Sequence, residues 1–522
     1  MNKTTIAALL LAALAANLPT VHANQANNLL DYASTKDIRD INPHLYGGEM
    51  AAQNMVFESL VINTEQGIKP HLAESWTISP DGKTYVFKLR QDVKFSDGEP
   101  FNAQAAKLNM DAVIANYQRH AWLQLVQEIE AINVLDEFTL ELKLKHAYYP
   151  TLTELGLTRP FRFISPKAFI DGKTQNGVQS YAGTGPWILA EHKPKEFARF
   201  TANPHYWGEK PALSGVTWHV IPERQTMLLA LQKGDIQLIF GADGDMLGME
   251  MFRALEKSGQ FKTAISEPIA SRAIVLNSAQ PITGELKVRQ ALQHAVDKQA
   301  IVSGVLDDSE SIADTLLAKE VPYANVAQQT YAFDPKLANQ LLEQAGWQLK
   351  EGQKVRQKNG KPLHLLLSYN VKNAAEKEIA ELLQDNFKGV GVDLEILGEE
   401  KQAFLDRQKS GQFDLQYSLS WGKPYDPASF VSSFRIPAHA DYQGQKGLPN
   451  KAEIDQTISQ LLITPDEKLR QQLYANLLQS LAAQAVYIPL SYSRSKAVFS
   501  KDLQGVGFNQ SQYEIPFEKM HF

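Results

Sequence analysis

The stretch LHLLLSYNVKNAAEKEIAELLQDNFKGVGVDLEIL, Leu363 to Leu397, decides the fold class. Leu363 to Tyr369 is a short apolar run bounded by polar residues, which reads as a buried strand. Ala374 to Lys388 reads as a helix, and Val390 to Leu397 returns to strand. Strand, helix and strand in that order form the unit from which a doubly wound sheet is built. The later half of the chain therefore carries an α/β domain of its own.

The flanking sequence extends the same pattern. Asp334-Pro335 opens a helix with a capping side chain and a proline at its first turn. Leu337, Leu341 and Leu342 supply its apolar stripe, and Gly346 stands where a helix-ending glycine belongs. Earlier, Val216 to Ile221 and Ile236 to Phe240 alternate and end in GADGDMLG, Gly241 to Gly248, where the domain boundary is expected. Within that segment Asp243-Gly244-Asp245 reads as a turn. Earlier still, Thr84 to Leu89 (TYVFKL) and Thr139 to Leu144 (TLELKL) alternate as half-buried strands do. Ser79-Pro80-Asp81-Gly82 supplies turn chemistry before the first of them. Phe101 to Ile114 reads as a helix capped by Asn102, with Ala106, Leu108, Met110 and Val113 as its buried side.

Composition narrows the class further. The chain has 522 residues, 44% of them hydrophobic, enough for two or three domain cores. It contains no cysteine, which excludes disulfides, thiolate metal sites and a lipid-anchored N-terminus. Lys3, the apolar run Ile6 to Ala16, Pro19 and Val21-His22-Ala23 together read as a cleaved signal peptide over residues 1–23. Cleavage after Ala23 starts the mature chain at Asn24 and makes it a soluble exported protein, neither a lipoprotein nor membrane-anchored. The net charge of −6 becomes −7 when the single charge of Lys3 is removed. That mild acidity, with no Lys/Arg stripe, argues against nucleic acid as a partner.

Enzyme signatures are missing. No HExxH, GxSxG or GxGxxG occurs, and the Gly-Lys-Thr triplets at Gly82 and Gly172 lack the upstream glycine of a phosphate loop. A secreted hydrolase with two scattered carboxylates stays open, because such pairs leave no local spacing. The twelve histidines include no two at i, i+2, i+3 or i+4. A metal bound here must draw most of its ligands from something other than the protein.

The segment LAESWTISPDGKTYVFKLRQDVKFSDGEPFNAQ, Leu72 to Gln104, resembles the signature of the family-5 extracytoplasmic solute-binding proteins. So do GTGPW (Gly183 to Trp187), NPHYWGEKP (Asn203 to Pro211), LQKGDIQL (Leu231 to Leu238), VRQALQHAVDK (Val288 to Lys298) and DPKLANQLLEQAGW (Asp334 to Trp347). INPHLY (Ile41 to Tyr46), YQRHAWLQL (Tyr117 to Leu125), AYYPTLTELGLTRPFRFISP (Ala147 to Pro166), WGKPYDP (Trp421 to Pro427), RIPAHADYQ (Arg435 to Gln443) and EIPFE (Glu514 to Glu518) are similar to the nickel-binding branch of that family.

The resemblance implies an α/β, bilobed periplasmic-binding-protein fold of the large peptide/nickel-binding class, with the ligand in the inter-lobe cleft. Lobe I would comprise residues 24–245 with 489–522, and lobe II residues 246–488. The solute would be Ni²⁺ held by a small organic chelator such as histidine or a polycarboxylate, and no reaction would be catalysed. The protein would be a periplasmic monomer that delivers its cargo to an ABC permease and its ATPase subunits. Carried over by motif, His439 is the metal ligand. Arg159 holds the chelator's carboxylate, with Arg119 as a second cation. Trp122, Trp421, Tyr425, Tyr46 and Met50 form the walls.

Three departures bear on the ligand. Peptide-binding relatives hold the peptide ammonium with an acidic residue three positions after the matching tryptophan; here that position is Pro424, and Asp426 stands two residues away. The loop Tyr46 to Met50 is one residue shorter than in nickel-type relatives, and Phe404 stands where they tend to carry tyrosine. Short peptides, glutathione and haem are the alternative solutes within the family.

Overall fold

The computed structural model describes residues 28–242 and 246–522. The expected signal peptide and the Asp243-Gly244-Asp245 turn lie outside the described residues.

Three sheets organise the chain. The first has seven strands in the order Phe261–Ile265, Lys496–Ser500, Leu238–Gly241, Leu29–Ser34, Gly215–Val220, Phe197–Ala202 and Trp187–Lys193. Leu29–Ser34 runs parallel to both of its neighbours, and the outer pairs are antiparallel. The second sheet has six strands: Ser311–Ile312, Tyr487–Ser493, Ala270–Leu276, Leu415–Leu419, His364–Asn370 and Asp393–Glu399. His364–Asn370 is parallel to both Leu415–Leu419 and Asp393–Glu399. The helix Ala374–Gly389 joins that last pair, so the expected strand–helix–strand unit is present within a few residues. Its inward face is Ile379, Ala380, Leu383 and Phe387, all buried.

The third sheet is antiparallel throughout, in the order Ala73–Ile78, Thr84–Leu89, Thr139–Leu144 and Ile129–Asp136. TYVFKL pairs as its alternation requires: Tyr85, Phe87 and Leu89 point inward, and burying a ring such as Phe87 contributes about 1.5–3 kcal/mol. The helix that follows runs Ala103–Ala115, and Asn102 caps it by accepting from the Ala105 N–H at 2.9 Å. The Asp334 carboxylate does the same for Pro335–Gln344, accepting from the Leu337 N–H at 3.0 Å.

Strand pairing crosses the expected boundaries 245/246 and 488/489. Phe261–Ile265 pairs with Lys496–Ser500 in the first sheet, so residues 249–265 belong with lobe I. Tyr487–Ser493 pairs with Ala270–Leu276 in the second sheet, so 487–493 belong with lobe II. The reason is hydrogen bonding: each of two strand pairs stays with its own sheet until the chain crosses between them. The crossings lie side by side. The Ser266 N–H donates to Ser495 O, the Ser495 N–H to Ser266 Oγ and the Ile269 N–H to Ser493 O, each at 2.9 Å.

The lobes pack against one another. The core of the third sheet runs on without a break into the helices Lys451–Ile463 and Glu467–Ala483 of lobe II. The Tyr149 N–H donates to Leu462 O at 3.2 Å, and the Arg470 guanidinium sits 4.2 Å from the Tyr149 ring centroid.

Candidate functional site

The site begins at a tight turn. A Cβ on Gly48 would lie 2.4 Å from Asp40 O and 2.8 Å from Ile41 Cα, so only glycine allows this approach of backbone to backbone. The turn aims the Gly48 carbonyl at Arg159, whose Nη1 donates to it at 3.1 Å. Gln53 Oε1 stands at 3.5 Å from the same nitrogen. Among the described residues no carboxylate lies within ion-pair distance of Arg159. Burial holds its pKa below the usual guanidinium range, against the pull of Tyr425, Tyr46, Glu49 and Tyr513. Arg162, three residues on, is different: it is buried and spends its donors on Leu157 O at 2.8 Å and Phe57 O at 2.9 Å. Arg159 is thus a half-satisfied planar fork facing the cleft, the geometry that grips a carboxylate.

The Arg159 guanidinium lies 4.9 Å from the Tyr46 ring centroid. From there a chain of rings crosses the cleft: Tyr46 to Trp122 at 6.0 Å, Trp122 to Trp421 at 5.5 Å, and Trp421 to His439 at 5.7 Å. Tyr425 packs beside Trp421 at 6.3 Å, and its hydroxyl reaches the Met50 sulfur at 3.9 Å. Met50 opens the helix Met50–Val56, so the shorter loop still delivers it to the wall. Tyr46, Met50, Trp122 and Arg159 come from lobe I; Trp421, Tyr425 and His439 come from lobe II.

Trp421 stands just beyond the C-terminal end of Leu415–Leu419, a strand parallel to His364–Asn370 and antiparallel to Ala270–Leu276. Crevices outside such strand ends are where ligands bind in α/β sheets. His439 precedes the helix Ala440–Gln445 in an extended conformation, its N–H bonded to Ile436 O at 3.0 Å. Its ring makes no capping bond, and its nitrogens have no hydrogen-bond partner among the described residues. Burial pushes its pKa below the ordinary 6.5, which keeps the imidazole neutral and a lone pair available at neutral pH.

Seven of the eight residues singled out from the sequence lie along one chain of contacts between the lobes. Arg119 is exposed and makes no side-chain bond among the described residues; its charge reaches Tyr46 and His120 electrostatically. Two contributors are new. His120 is buried, and its Nδ1 stands 2.6 Å from the Tyr46 oxygen, which also accepts from the Trp122 indole. Burial lowers the His120 pKa to about 4, so the Tyr46 hydroxyl shares its hydrogen bond with a neutral imidazole. Tyr513 packs edge-on against Tyr425 at 5.7 Å. His120 stood in the QRHAW motif, but only the fold shows its ring holding Tyr46 in place.

Asp426 is turned into its own loop. Its Oδ2 accepts from Ser420 Oγ at 2.6 Å and the Gly422 N–H at 3.1 Å, and burial raises its pKa to about 7. The Arg159–Pro160, Lys423–Pro424 and Asp426–Pro427 bonds are cis. Among the described residues no group of three or more His, Cys, Asp or Glu could hold a metal ion, and no helix is long and apolar enough to cross a membrane.

A two-lobed α/β chain with a polar, aromatic-walled cleft at the lobe boundary defines a solute-binding protein. Residues 67–442 match the bacterial extracellular solute-binding proteins, family 5, and the chain belongs to that family. This decides against the hydrolase reading, since the family is one of binders. The chain is 44% identical over 486 residues to the nickel-binding periplasmic protein of Escherichia coli K12, covering 93% of each. It is 26% identical over 441 residues to the glutathione-binding protein GsiB of Pectobacterium atrosepticum, covering 83% of this chain and 82% of that protein. The structure of NikA from Brucella suis in complex with Fe(III)-EDTA superposes with a TM-score of 0.93 at 44% identity, covering 94% of this chain and 99% of that one.

Proposed function

We propose that this protein is the periplasmic solute-binding component of an ABC importer, capturing nickel already wrapped in a small organic chelator. The observation that supports this most directly is the continuous chain from Arg159 through Tyr46, Trp122 and Trp421 to His439. It offers one neutral imidazole at one end and one unpaired guanidinium at the other. A single imidazole cannot hold Ni²⁺ alone, so the chelator supplies the remaining donors. Arg159 takes a chelator carboxylate, and the aromatic walls cover the organic surface. Because these residues come from both lobes, the cargo favours the closed form, which is what a permease with its ATPase subunits would read.

The relatives bear on the cargo: one is named for nickel and another was crystallised with a metal chelate. The peptide alternative loses its clamp, because Pro424 carries no charge and Asp426 is engaged within its own loop. Calorimetric titration tests the reading. Nickel plus histidine, or nickel plus EDTA, is expected to bind tightly, whereas free Ni²⁺ and free chelator bind weakly. Tight binding of peptides or glutathione without metal would overturn it.

A further inference from the structure

The chain crosses between its two large sheets at two adjacent segments, 266–269 and 493–495. A cavity of about 240 Å³ lies against both, lined by Glu267 from the first crossing and Arg494 from the second. Glu65 joins the lining from the turn between Val61–Thr64 and Gly67–Pro70, and Glu320, Lys423 and Asp426 join it from the opposite lobe. That space is far larger than the ~10–15 Å³ needed to admit one water. No residue of the ring chain from Arg159 to His439 lines it, so it is separate from the cargo cleft.

Two buried polar atoms of opposite character belong to this lining and have no partner. Asp426 is 4% exposed; its Oδ2 is taken by Ser420 and Gly422, but its Oδ1 accepts no hydrogen bond among the described residues. The Arg494 Nε–H is likewise buried without an acceptor. Such atoms are uncommon in folded proteins, because each gives up its hydration for no bond in return. Around them, Lys423, Glu65, Glu267 and Glu320 form no ion pair among the described residues, although both signs line one cavity.

The chemistry of the lining narrows the occupant. A bare anion would face four carboxyl groups against two cations. A metal ion would face Lys423 and Arg494, and among the described residues no group of three or more His, Cys, Asp or Glu could hold one. A hydrocarbon would strand the charges. A short molecule with an ammonium at one end and a carboxylate at the other answers both signs, and the buried Ile269 and Val321 supply apolar wall for its spacer.

We propose that this cavity is a second ligand site, taking a small metal-free zwitterion apart from the cargo. Its carboxylate lies on Arg494 and Lys423, and its ammonium on Asp426 and the surrounding glutamates. Because the lining joins both crossings and both lobes, an occupant favours the arrangement that assembles these residues. The consequence for transport rests on the chelate reading: occupancy strengthens cargo binding, and cargo strengthens occupancy by the same factor.

The probe is 4-aminobutyrate, with butyrate and butylammonium as its single-charge counterparts, each titrated by calorimetry into the metal-free protein. 4-Aminobutyrate is expected to bind at least about tenfold more tightly than either counterpart. Arg494→Gln is expected to weaken it at least about tenfold. Glu267→Gln, which alters an exposed side chain, should weaken it at least about threefold and keeps the test open if Arg494→Gln fails to fold. Saturating 4-aminobutyrate should also tighten nickel–EDTA binding at least about threefold in the native protein and not in Arg494→Gln. Absence of binding, equal binding of all three probes, or variants that bind as the native protein does would overturn the site and leave a cavity for water alone. Competition between 4-aminobutyrate and nickel–EDTA would put the probe in the cargo cleft and overturn it as well. Binding that leaves nickel–EDTA affinity unchanged would overturn the coupling. A native protein that binds 4-aminobutyrate but no nickel chelate would keep this site and overturn the chelate reading instead.

Discussion

Replacing Arg159 with alanine removes the cation proposed to hold the chelator's carboxylate. Its side chain makes a 3.1 Å bond to Gly48 O and a contact at 3.5 Å to Gln53. Most of its five donors remain to be used by the ligand. Loss of a charge-assisted carboxylate contact costs about 1.5–3 kcal/mol, equivalent to roughly tenfold to over a hundredfold in affinity. Stability should change less, because the lost Gly48 bond is offset by no longer holding a half-buried cation away from water. Arg159→Lys keeps the charge without the planar fork and should fall between alanine and the native protein. The assay is calorimetry against nickel chelates with and without a free carboxylate, alongside thermal unfolding. A much larger loss for the carboxylate-bearing chelates is expected. Equal losses across chelators, or a collapse of the thermal midpoint, would refute the assigned contact.

Three further outcomes follow from the geometry. His439→Ala should weaken chelate binding and alter the visible spectrum of bound nickel; because burial lowers the His439 pKa, the native protein's His439-dependent loss should begin only below the ordinary 6.5, and the variant should lack that component in titrations over pH 5–8. Gly48→Ala forces a methyl group against the Asp40 and Ile41 backbone, so it should destabilise the protein by about 1–3 kcal/mol in chemical denaturation and also weaken chelate binding by displacing the Arg159 acceptor. Glu154 lies at the lobe interface, bonded to Tyr148 at 2.6 Å and Ser429 at 3.4 Å, and burial raises its pKa from 4.5 to about 7. The folded state therefore holds a proton that the unfolded state has released, so its contribution to stability declines as pH rises from about 4.5 to about 7. Glu154→Gln should flatten that part of the stability profile in denaturant melts.

Much of the architecture was legible because local chemistry agreed with tertiary structure. Asn102 and Asp334 cap the helices their positions announced, and the strand–helix–strand unit at Leu363 to Leu397 sits in a parallel sheet. The site residues were legible only through motif resemblance: a lone histidine and scattered aromatics carry no spacing that composition or periodicity can read. Which sheet the strands near the lobe boundaries join was not legible, for a physical reason. Phe261–Ile265 is half-buried along its whole length, with no alternation to mark which sheet it joins. Its membership is decided by pairing with Lys496–Ser500, more than 200 residues away in the chain. The same holds for His120, whose role depends on Tyr46, a residue 74 positions earlier.

The central claim is that a metal chelate bridges the two lobes. Small-angle scattering tests it most directly, comparing the protein alone, with Ni²⁺, with histidine, and with both together. The radius of gyration should fall only when metal and chelator are both present, and His439→Ala combined with Arg159→Ala should abolish the change. Tight calorimetric binding of nickel plus histidine with no compaction, or equal compaction by histidine alone, would contradict the claim.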